Sequence, residues 1–169
     1  MQLLWAKVLA GEANTAGAYS KRTVNFLGSL DQVDAQLFTS LCGFAWNIGG
    51  PQPLIYDLDS SIYKSQKITF SSLTHLDDIG LVSFDSLAGF EKIHLPKTIS
   101  ISYHETPLML QFKKATENEL EIGNVLLTKI GKQLAPICVA GPVDGFFNYI
   151  FKIFENKGLA PASPNLTPP

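Results

Sequence analysis

Two alternating runs, Ile99-Ser100-Ile101-Ser102-Tyr103 and Leu108-Met109-Leu110-Gln111-Phe112, flank the segment His104-Glu105-Thr106-Pro107. Strict alternation puts successive side chains on opposite faces of a strand, and two such runs joined by a short proline-bearing turn read as a β-hairpin. A third strand is expected from Leu120 to about Leu127. These segments exclude an all-helical chain. Upstream the apolar period changes from two to about 3.6. Met1, Leu4, Trp5 and Val8 share one helical face, with Gly11 as the expected stop. Ser20 caps a short helix through about Leu30, with Val24, Phe26, Leu27 and Leu30 at helical spacing. Asp31 caps a longer helix to about Ile48, and Asp34 adds negative charge where the helix dipole favours it. Phe38, Leu41, Cys42, Ala45 and Ile48 fall on its inner face. The class is α+β.

Gly49-Gly50-Pro51 is the best internal boundary. It divides a helical subdomain, residues 1–48, from a second unit, residues 51–157. The second unit is expected to hold a strand at 53–56, a helix at 70–79 with Ser71 as its cap, and a strand at 81–84. Residues 85–96 read as irregular. After the hairpin and third strand, Thr128 caps a helix through about Cys138, and Pro142 opens a last helix to about Asn156. The order helix, strand, hairpin, helix is winged-helix-like. Residues 158–169 carry four prolines and no apolar pattern, so disorder is expected there.

Charge narrows the function. The net charge is -2, and residues 1–50, 51–110 and 111–169 hold three, four and six basic against three, seven and five acidic side chains. No region has the basic surplus of phosphate-driven binding. Hydrophobic residues make up 46% and charged ones 17%, a balance that leaves apolar surface for a partner or further chain to cover. The two cysteines, Cys42 and Cys138, belong to no CxxC pair and read as buried thiols of a cytoplasmic protein. No basic leader precedes an apolar core, and no apolar run reaches the ~18 residues of a membrane span.

Chemical motifs are sparse. GxxxxGK[ST], GxGxxG, GxSxG and HExxH do not occur, and His75, His94 and His104 are scattered. Asp57-x-Asp59-x-Ser61 opens like a calcium loop, but Ile62 replaces the glycine such a loop needs and Ile68 its bidentate glutamate. His75, Asp77 and Asp78 read as a solvated helix end. No catalytic residue, metal or cofactor is therefore expected. Ser20, Lys21, Arg22 and Thr23 form the candidate anion site: free N–H groups at a helix start attract anions, and two cations there oppose the dipole until something acidic relieves them. The plainer reading pairs Arg22 with Glu12. The last helix carries an apolar arc too wide for a thin stripe, which makes Phe147, Phe151 and Phe154 either an interface or core. Lys113 and Lys114, beside the hairpin, are the alternative nucleic-acid contacts.

Leu4-Trp5-Ala6-Lys7-Val8-Leu9-Ala10-Gly11-Glu12, then Gly17-Ala18-Tyr19-Ser20-Lys21-Arg22-Thr23, then Leu30-Asp31 with Ala35-x-x-Phe38, resembles a bacterial family known as domain of unknown function 2806. Leu127-Thr128-x-x-Gly131-x-x-Leu134 fits it too, and Ala16-Gly17 stands where the family has Pro-Gly. Members generally carry sequence before this block, so Met1 is expected to be an internal start. The resemblance brings no activity or cofactor. The resulting expectation is a non-enzymatic interaction or regulatory module that binds a protein partner or a second copy of itself. A winged-helix nucleic-acid binder using Lys21 and Arg22, or Lys113 and Lys114, is the alternative. A third reading is an enzyme whose site lies partly upstream.

Overall fold

The computed structural model describes residues 2–162, with side chains from Ala6 to Pro161. Three helices open the chain: α1 (Gln2–Asn14), α2 (Lys21–Ser29) and α3 (Gln32–Cys42). Of the apolar face read for α1, only Val8 lies among the described side chains, and it is buried. Gly11 does not stop α1. Thr15 N–H donates to Gly11 O at 2.8 Å, and a Cβ on Gly11 would come within 2.7 Å of the Tyr19 ring. Glycine is there for close approach.

The helix α3 ends at Cys42, short of the expected Ile48. Ala45–Asn47 is instead strand β1, which turns through Gly49 and Gly50 (φ 70° and 132°) into β2, Pro51–Pro53, with Trp46 opposite Gln52. A short apolar run fits both periods, and here burial of Trp46 in a sheet wins. The Gly-Gly-Pro break is thus a hairpin turn inside a sheet.

Then come α4 (Ser61–Lys64) and α5 (Phe70–Asp78), the latter capped by Thr69, not Ser71, in a reciprocal box with Ser72. The strands β3 (Val82–Phe84), β4 (Phe90–Leu95), β5 (Thr98–Tyr103), β6 (Thr106–Gln111), β7 (Asn118–Gly123) and β8 (Val125–Leu127) follow. Beyond them lie α6 (Lys129–Leu134), which tightens into a 3-10 turn at Ala135–Ile137 where Pro136 ends it, then α7 (Phe146–Asn156) and β9 (Ala160–Ala162). Gly145, at φ 73°, starts α7 four residues after the proline expected to open it would have done. Residues 160–162, read as patternless, pair with β6; residues 163–169 lie outside the described residues.

The sheets run β2-β1-β5-β6-β9, β3-β8 and β4-β7. The expected β5–β6 hairpin is present, from Thr98 opposite Gln111 to Tyr103 opposite Thr106, but its turn is His104-Glu105 alone, and Thr106 and Pro107, expected in the turn, belong to β6. It is no projecting wing. It lies inside the five-stranded sheet, with Ile101, Tyr103, Leu108 and Leu110 buried. The single strand expected at 120–127 is two strands in two sheets, β7 on β4 and β8 on β3, divided at Gly123.

One cluster of buried side chains extends from Val8 to Phe154. At its centre Trp46 stacks on Tyr103 and Phe147, with centroids 5.3 and 5.5 Å away, while Phe44 meets Phe146 edge-on at 4.9 Å. The Tyr103 hydroxyl donates to Gly43 O and accepts from Val143 N–H, both at 2.7 Å. One phenol therefore joins the end of α3 to the segment before α7.

Candidate functional site

Ser20 leaves the loop after α1 in extended conformation, and its Oγ accepts from Thr23 N–H at 3.1 Å, as an N-cap should. Across the chain, Thr128 does the same for α6: its Oγ1 accepts from Gly131 N–H at 3.1 Å and donates to Gly80 O at 2.8 Å. Gly131 lets α6 sit on the β3 entry, since a Cβ there would overlap Leu81 O. Gln133 of α6 then fastens the two helix starts together. Its Oε1 accepts from Ser20 N–H at 3.3 Å and from the Thr23 hydroxyl.

Between these starts lies a cleft of about 570 Å³ lined by Ser20, Arg22, Gly80, Thr128, Lys129 and Ile130. Its wall offers two cations and two hydroxyls, and no carboxylate. Arg22 and Lys129 are both exposed, and among the described residues neither has an ion-pair partner. Such a lining suits an anion: guanidinium binds carboxylate or phosphate through paired N–H groups, and an ammonium adds a point charge.

The residues singled out from the sequence divide here. Ser20 and Arg22 line the cleft. Thr23 is fully buried and held by Gln133, so its place is structural, while Lys21 is exposed outside the lining. The expected Arg22–Glu12 pair is not formed. Glu12 instead accepts from Tyr19 N–H at 2.6 Å and Gly17 N–H at 3.1 Å, and these bonds, Tyr19 first, hold its carboxyl below the ordinary range. Thr128 and Lys129 were missed as site residues. Thr128 showed itself as a cap, but nothing local ties Lys129 to Arg22, more than a hundred positions earlier.

Lys113 and Lys114 follow β6, and the Lys113 ammonium lies against Gly158 just past the end of α7, where the dipole favours a cation. Phe154 is core, packed edge-on to Trp46; Phe147 and Phe151 are half-buried. His75 Nε2 meets Asp34 Oδ1 of α3 at 2.7 Å, whereas Asp77 accepts from Phe84 N–H at 3.3 Å, so that cluster divides between two structural contacts. Among the described residues no three His, Cys, Asp or Glu side chains gather to hold a metal ion, and no helix is long and apolar enough to cross a membrane.

Fold and cleft together define an α+β module whose helical N-terminal part is fastened to α6 beside a basic cleft. The chain belongs to the family described as a protein of unknown function, DUF2806, whose sequence profile matches residues 1–151. Comparison with curated proteins and with solved structures gives no significant match.

Proposed function

We propose that this chain is a non-enzymatic interaction module that takes an acidic segment of a partner protein into the cleft between α2 and α6. One observation carries the reading: Arg22 and Lys129, remote in sequence, line the same cleft with no acid beside them. Ser20 and Thr128 flank them, their hydroxyls engaged within the chain, so the two cations supply the contacts to an acidic group. The net charge of -2 favours a local acidic contact over a long phosphate track.

The test is fluorescence anisotropy with a labelled glutamate-rich peptide and a labelled DNA duplex, each at low and at physiological salt. The peptide is expected to bind, and the double charge reversal Arg22→Glu, Lys129→Glu to weaken it at least roughly tenfold, the loss of one to two charge-assisted contacts. Lys113→Glu, Lys114→Glu is the control and leaves peptide affinity unchanged. Duplex binding that falls steeply with salt would replace this reading with the nucleic-acid one. Failure of both probes removes the cleft as an anion site.

A further inference from the structure

Cys42 closes α3 and Cys138 follows the 3-10 turn after α6, yet both line one cavity of about 480 Å³, together with Trp46, Ser102 and His104. The two thiols are neighbours, each shifting the other's titration, and both are free. Cys42 is buried at 6% exposure, while Cys138 is half-buried on the cavity wall. Lys7 of α1 donates its ammonium to Ile137 O at 2.9 Å, which puts a positive charge next to Cys138. We propose that Cys138 and Cys42 form a peroxide-reactive dithiol, with Cys138 the attacking sulfur and Cys42 the resolving one.

The surroundings divide the roles. The neighbouring Cys42 thiol first, and then the Lys7 charge, hold the Cys138 thiol below its ordinary range. The Cys138 thiol beside it and burial push the Cys42 thiol up, so it keeps its proton until its partner has reacted. The Cys138 thiolate attacks one oxygen of a hydroperoxide. The O–O bond breaks, Cys138 becomes a sulfenic acid, and the departing oxygen takes a proton to leave as water or an alcohol. The Cys42 sulfur then attacks the Cys138 sulfur. The S–O bond breaks, an S–S bond forms, and hydroxide leaves with the Cys42 proton as water. Two thiols are oxidised by two electrons and one peroxide is reduced. The bond ties the end of α3 to the segment after α6, beside the Lys7 contact of α1.

The experiment treats the reduced chain with one equivalent of hydrogen peroxide under native conditions. Remaining thiols are capped with a maleimide, and intact mass and peptide mapping follow. Loss of both thiols together, within one chain, as a Cys42–Cys138 linked peptide is expected. Cys42→Ser stops at a sulfenic acid that dimedone traps on Cys138, and Cys138→Ser slows oxidation by roughly tenfold or more. Two cappable thiols after treatment, a disulfide between chains, or sulfinic acid on Cys138 without the linkage would each overturn the proposal. The mapping of the unaltered chain decides it even if either serine variant fails to fold.

Discussion

Glu12 shows how one side chain sets a turn. Its two carboxylate oxygens take the Tyr19 and Gly17 amides, while Gly11, one residue before, leaves room for the Tyr19 ring. The loop that delivers Ser20 to its capping position is thus closed by the residue that ends the Leu-Ala-Gly-Glu wording. A carboxylate whose folded-state pKa is depressed stabilises fully above its ordinary value, 4.5, and loses that contribution as pH falls through the lower folded value. Glu12→Gln should therefore speed hydrogen exchange at the Tyr19 amide near neutral pH, relative to the parent chain. The ratio of the two rates should approach one in acid. A ratio of one at pH 7 would show that the carboxylate does not hold the loop. At this scale, what was legible was local. Ser20 and Thr128 were readable as caps because an N-cap bonds an amide three residues away. Glu12 was not, because its amides lie across a loop whose path no periodicity describes, and that same engagement left Arg22 without its expected partner.

The strands depend on where the backbone can change sheet. Gly123 ends β7 with φ 86° and sits so close to Ile55 that a Cβ would overlap the Ile55 carbonyl oxygen, while Asn124 N–H donates to that oxygen at 2.7 Å. Only glycine takes both the left-handed conformation and the contact. Gly123→Ala should cost more than about 3 kcal/mol, the sum of left-handed strain and displaced backbone. Gly49→Ala, at φ 70° with open space around it, should cost about 1–2 kcal/mol. Urea unfolding of both measures the difference, and equal losses would mean that β7 and β8 do not need the Ile55 contact. The β5–β6 hairpin was legible because its inner face is buried and its alternation unbroken. The strand β4 was not: its faces are half-buried or exposed, its register with β7 shifts twice, and His94 within it has φ 57°. Without one buried face, period two has no apolar signature.

For the whole chain, the question is whether residues 1–48 stand apart from the rest. The sequence placed a boundary at Gly49-Gly50-Pro51 because glycine and proline interrupt a period, but the same residues make a tight turn equally well. Tertiary contacts choose between the two, and no local pattern carries them. Here β1 lies between β2 and β5, the Tyr103 hydroxyl holds Gly43 O, and Gln133 holds the start of α2. A cut at the turn would leave Trp46 and Phe44 without Tyr103, Phe146 and Phe154. It would also separate Arg22 from Lys129 and Cys42 from Cys138, so the cleft and the dithiol depend on the same contacts as the core. Shared burial of this kind couples the parts into one transition. Calorimetry should then give a single endotherm whose van 't Hoff and calorimetric enthalpies agree, and native-state exchange should give Leu27 in α2 and Leu127 in β8 the same opening free energy. Two endotherms, or helices α2 and α3 opening well below β8, would mean that the helical part folds by itself and that the contacts through Tyr103 and Gln133 are docking contacts between two separately stable units.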